Sequence, residues 1–124
     1  MTVRIVVPVV DESGLDSRIS EHFGRTPFFA VINLDEKGQV IEQKTVPNAG
    51  EHFGGGGRRA GFILNLKPNV IIAHGMGPRG ISIYQSERVA VLRANADTVK
   101  DVIAAYNRGG LEELTEGCHE ARHP

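Results

Sequence analysis

The chain has 124 residues, 40% hydrophobic and 23% charged, with a net charge of −1 and a single cysteine. That length supports one hydrophobic core without covalent staples. The near-neutral charge gives no footprint for nucleic acid or an anionic membrane, no apolar run approaches the length of a membrane span, and one cysteine excludes an internal disulfide and fits a reducing, cytoplasmic setting.

Val3–Val10 is a near-continuous β-branched run, the pattern of a strand covered on both faces, with Pro8 marking a point where the ladder loosens. Asp11–Pro27 is polar and too long for a plain connection, so it is expected to be functional or disordered. Phe28–Leu34 reads as a second strand and Asp35–Gly38 as a turn. Val40–Val46 alternates like a half-exposed third strand, which makes the pair an antiparallel hairpin. After a loop over Pro47–Gly57, Arg58–Leu66 carries Ala60, Ile63 and Leu64 at helical spacing, and Pro68 breaks the helix. Val70–Ala73 is a short buried strand. His74–Gly80 is a loop whose Pro78 suits the first turn of a helix reaching about Ser86. Val89–Leu92 is a fifth strand. Asn95 or Asp97 caps a last helix with the stripe Val99, Val102, Ile103 and Tyr106, stopped by Gly109 and Gly110. Leu111–Leu114 is predicted to form a short helical turn. Residues 115–124 form a polar tail outside a single domain over residues 1–114.

A hairpin followed by αβαβα, connected by right-handed crossovers, predicts an α/β fold: a mixed five-stranded sheet of order 3-2-1-4-5, strand 2 antiparallel, with helices on both faces. Strands 1, 3, 4 and 5 then end at one edge. That edge gathers the loops around 11–27, 47–57, 74–78 and 93–96, and ligands of open α/β sheets bind at such a carboxyl edge.

Glu-His-Phe-Gly occurs twice, at Glu21–Gly24 and Glu51–Gly54, each time in a predicted loop. With His74 at the same edge, His22 and His52 could furnish a metal or cluster pocket, or simply make loop hydrogen bonds, since no pair has the helical spacing of a metal clasp. Gly54–Gly57 with Arg58, and Gly75, Gly77 and Arg79, open the next two helices, where exposed amides and guanidiniums favour an anion. The match to a phosphate loop is poor, because no Lys-Ser/Thr follows. Met76 is a soft thioether for which ordinary packing is the simpler reading. Cys118, His119 and His123 are a soft-ligand cluster on the tail, although one cysteine cannot hold a four-thiolate cluster. Ser20, Glu21 and His22 are neighbours in sequence, which does not make a catalytic triad.

Ile19-Ser-Glu-His-Phe-Gly-Arg25, together with the opening strand, the glycine-rich helix start, Gly75-Met-Gly-Pro78 and Thr98-Val…Ala104-Ala-Tyr106, resembles the dinitrogenase iron–molybdenum cofactor biosynthesis (accessory protein) family over residues 3 to 114. The resemblance implies a ribonuclease-H-like three-layer domain that is not an enzyme. It would bind or carry an iron–sulfur or iron–molybdenum-type cluster, or its precursor, and meet a cofactor-assembly or acceptor protein. His22 and Arg25 match the family's motif, and Gly75 and Gly77 match its glycine turn. Together with the loop and tail residues read above, the expected cofactor-binding set is His22, Arg25, His52, Gly55, Arg58, His74, Gly75 and Gly77, with His22, Cys118 and His119 as metal donors. A nucleotide- or phosphate-binding regulatory module on the same glycine loops is the alternative, and a hydrolase with a histidine-bound metal is a third.

Overall fold

The structure, a computed structural model, describes residues 2–48 and 56–114, with residues 56–60 described by backbone alone. Strands β1 (Val3–Val9), β2 (Phe28–Leu34), β3 (Val40–Pro47), β4 (Val70–Ala73) and β5 (Ala90–Arg93) alternate in the second half with helices α1 (Gly56–Asn65), α2 (Pro78–Ser86) and α3 (Val99–Asn107). The sheet order is β3-β2-β1-β4-β5, with β2 antiparallel to both its neighbours and β1, β4 and β5 parallel, as the connectivity predicts.

The two-residue period of the strands divides the core into two layers. Ile5, Val7, Val9, Ala30, Ile32, Leu34, Val70 and Ile72 face α3 and meet Val99, Val102 and Ile103. Val6, Phe29, Val31, Ile71, Ala73 and Val91 face the other side and meet Ile63 of α1 and Ile81 and Tyr84 of α2. Helices therefore cover both faces, which is why β1 and β4 are apolar at nearly every position. At the far end of β1, Arg4 is held between the Asn33 amide oxygen (3.0 Å) and the Leu66 carbonyl (2.7 Å), and Asn33 in turn donates to Glu42 (2.7 Å). The β1–β4 ladder ends at Val6–Ile71, two residues before Pro8, which fits a residue with no N–H to give.

Three local expectations need correction. Residues 111–114 are no helical turn: the Arg93 N–H donates to Glu112 (2.7 Å) and the Leu114 N–H to Val91 (2.8 Å), so the segment pairs with the outer side of β5. A four-residue helix carries the full nucleation cost for one hydrogen bond, whereas the open edge of β5 supplies ready partners. Helix α3 is entered through Thr98 rather than Asn95 or Asp97, and the Thr98 hydroxyl bonds the Asp101 carboxylate (2.9 Å). The Asp97 carbonyl is occupied by the Ile19 N–H (2.8 Å). Helix α1 begins at Gly56, two residues ahead of the predicted start at Arg58.

Among the described residues, no helix is long and apolar enough to cross a membrane.

Candidate functional site

The segment between β1 and β2 contains one short 3-10 turn, Gly14–Asp16, and is tied down along its length. Ser17 is fully buried and its hydroxyl bonds Asp11 through both the side chain (2.8 Å) and the carbonyl (3.1 Å). That bond, with the Ser13 N–H, holds the exposed Asp11 carboxyl below its ordinary pKa. Val10 and Ser20 donate backbone bonds to Arg18 and Pro8, and Ile19 pairs with Val9 as an isolated bridge. The Thr26 hydroxyl, 0% exposed, lies 2.8 Å from the Val9 carbonyl and 3.0 Å from that of Phe28, clipping the two ends of the segment together. The Asn48 side-chain amide, arriving from the end of β3, donates to the carbonyls of Gly24 (3.2 Å) and Thr26 (2.9 Å).

These ties leave residues 21–25 as a short rim with alternating directions. The Phe23 ring goes inward, edge-on to Phe29 (5.3 Å between centroids) and Tyr84 (6.0 Å). Glu21, His22 and Arg25 stay exposed, and the Ser20 hydroxyl lies 3.3 Å from both the N–H and the carbonyl of His22, fixing the turn that presents the imidazole.

Across from this rim, β4 ends and Gly75–Gly77 lead into α2. The gap is a cleft of ≈ 550 Å³ whose walls are Glu21–Arg25 on one side and Gly75, Met76, Gly77 and Arg79 on the other, with Gly80, Ile83 and Tyr84 of α2 completing it. Gly77 has φ −66° and ψ 156°, a conformation open to any L-residue, and a β-carbon at Gly75 or Gly77 would meet nothing within 4 Å. Neither glycine is demanded there by backbone angle or packing. Their effect is to leave the main chain without side-chain cover where it borders the cleft. Gly80 is different: a β-carbon there would come within 3.0 Å of the Met76 sulfur, so its small size lets the thioether lie against α2. The charged residues in the lining are two arginines, Arg25 and Arg79, and one glutamate, Glu21.

Of the residues singled out in sequence, His22, Arg25, Gly75 and Gly77 meet around this cleft. His74, half-buried just after β4, does not line it. His52, Gly55, Cys118, His119 and the side chain of Arg58 lie outside the described residues. Among the described residues, no three His, Cys, Asp or Glu side chains are grouped to hold a metal ion. Sequence reasoning did not include Phe23, Ile83 or Tyr84 in the site. Gly80, Ile83 and Tyr84 share the i, i+3, i+4 spacing that puts them on one face of a helix opening at Pro78, and that signal was available.

A model of the dinitrogenase iron–molybdenum cofactor family matches residues 4–109. The chain belongs to that family. An uncharacterized protein of Methanocaldococcus jannaschii is 28% identical over 101 residues, which is 80% of this chain and 85% of that protein. The crystal structure of a protein named PH0822 superposes with a TM-score of 0.75 at 26% identity, covering 90% of this chain and 96% of the other. A Thermotoga protein, solved by NMR under a provisional NifB name, is 30% identical with a TM-score of 0.68, covering 91% of this chain and 94% of that one. Family membership connects this α/β domain with the handling of an iron–molybdenum-type cofactor, and the matched stretch contains both walls of the cleft.

Proposed function

We propose that this protein is a non-catalytic carrier that binds an anionic iron–sulfur or iron–molybdenum-type cluster, or its precursor, in the cleft between residues 21–25 and 75–84. The observation that carries the reading is the backbone at Gly75 and Gly77, bare of side chains on one wall of a cleft whose lining also includes His22, Arg25 and Arg79. A sulfide-rich cluster is bulky, anionic and rich in acceptors. It needs room against main-chain N–H groups and positive charge more than a shaped apolar slot.

The donor set suits loose holding. The cleft lining supplies one imidazole, from His22, and one thioether, from Met76. Arg25 and Arg79 offset the cluster's charge, and the α2 dipole adds to them. A carrier of this kind releases its cargo to an assembly or acceptor protein, which tighter thiolate ligation would hinder. In this reading His52, Gly55 and Arg58 are further contacts and Cys118 and His119 additional metal donors, while His74, which does not line the cleft, is left out of the cargo's shell. The setting is cytoplasmic.

Anaerobic incubation with iron, sulfide and tetrathiomolybdate, followed by desalting, visible absorbance and metal counting, tests this. The wild-type chain is expected to retain coloured, metal-bearing material. His22→Ala should retain it about tenfold more weakly, the loss of one ligand or charge-assisted hydrogen bond of about 1.4 kcal/mol. Equal retention by the two proteins would remove His22 from the site.

A further inference from the structure

The two edges of the sheet are finished differently. On the β5 side, residues 112–114 pair with the strand, and the Gln85 side chain donates to the Leu114 carbonyl (3.0 Å), so that edge is covered. On the other side, β3 has no hydrogen-bonded strand beyond it among the described residues, and its side chains are mostly exposed on both faces. Ile41, 55% exposed, stands at the bulge where β3 shifts register against Asn33 and Leu34. A long open edge is a template for another strand.

We infer that β3 pairs with β3 of a second copy, antiparallel and centred on Gln43, to form a two-fold dimer with one continuous ten-stranded sheet. Charge selects the register. Centring on Gln43 sets Glu42 opposite Lys44 of the second copy, and symmetry repeats the pair. Centring on Glu42 or Lys44 would set like charges face to face. The bulge and the lysine, which discourage indiscriminate edge pairing, thus restrict the edge to a single partner geometry. Because the two β3 strands run in opposite directions, the two carboxyl edges point to opposite ends of the dimer, and both clefts stay open.

Sedimentation equilibrium on the full chain reads the proposal independently of any cluster. Wild type is expected to be a dimer. Lys44→Glu makes the edge wholly acidic and Glu42→Lys makes it wholly basic, and each should weaken self-association about thirtyfold, as two attractive pairs become two repulsive ones. An equimolar mixture of the two variants should recover a dimer, because each then meets its opposite charge. A monomeric wild type, a dimer insensitive to Lys44→Glu, or a mixture that stays monomeric would overturn the inference. Circular dichroism confirms that each variant is folded.

Discussion

Phe23→Ala is expected to destabilise the protein by about 3 kcal/mol and to abolish retention of a cluster at the same time. The side chain is 7% exposed although it belongs to an irregular segment, and its ring makes edge contacts with Phe29 of β2 and Tyr84 of α2. Those contacts join the rim that carries His22 to the helix that forms the opposite wall. Removing the ring leaves a cavity between Phe29 and Tyr84 that close-packed neighbours fill only in part, and it frees residues 21–25 to move. Urea unfolding should show a lower midpoint with little change in slope. Phe23→Leu, which keeps much of the volume, should recover most of the stability. If Phe23→Ala unfolds like wild type, the ring is not what fixes the rim.

The double substitution Arg25→Glu, Arg79→Glu is expected to weaken retention of an anionic cluster about a hundredfold. Each reversal removes an attraction and adds a repulsion, together worth about 1.4 kcal/mol at a solvent-exposed distance of a few ångströms. Both side chains are exposed and neither contributes to the core, so thermal stability should change little. The wild-type protein should also release its cluster more readily as ionic strength rises, and the double variant should lose that dependence. Retention that ignores both the substitutions and the salt would mean that the arginines do not meet the cargo.

Much of the architecture was legible because it rests on local patterns with few alternatives. The β-branched runs at Val3–Val10 and Val70–Ala73 admit little except buried strands, and the short connection at Asp35–Gly38 allows only a hairpin. Right-handed crossovers then leave one order for β1, β4 and β5. The first His-Phe-Gly-Arg segment and the Gly-Met-Gly turn could be assigned to the same edge on that basis, and both border the cleft.

What stayed hidden depends on contacts between residues far apart in sequence. Phe23 reads as a loop residue until Phe29 and Tyr84 are seen beside it, and nothing local says that it turns inward while His22 turns out. The strand-like pairing of residues 112–114 exists only because β5 presents an open edge, which no window around Leu111 contains. The polar stretch 11–27 reads only as functional or disordered, because several of the bonds that hold it come from Asp97 and Asn48, on other parts of the chain. His74 joins His22 in the expected set, as a secondary contact, because both lie in loops at the same predicted edge. Position at an edge does not decide whether a side chain borders the cleft, and His74 does not.

Gly77→Phe offers the most direct test of the cleft as the cluster site. The backbone at Gly77 already has angles that phenylalanine adopts, and a β-carbon there meets nothing, so the substitution fills the cleft without straining the fold. Wild type and Gly77→Phe should be loaded side by side under anaerobic conditions with iron, sulfide and tetrathiomolybdate, and the metal retained per chain counted. Wild type is expected to retain metal clearly and Gly77→Phe none above background, at matched thermal stability. Equal retention by the two would contradict it, and so would a wild-type chain that takes up no metal.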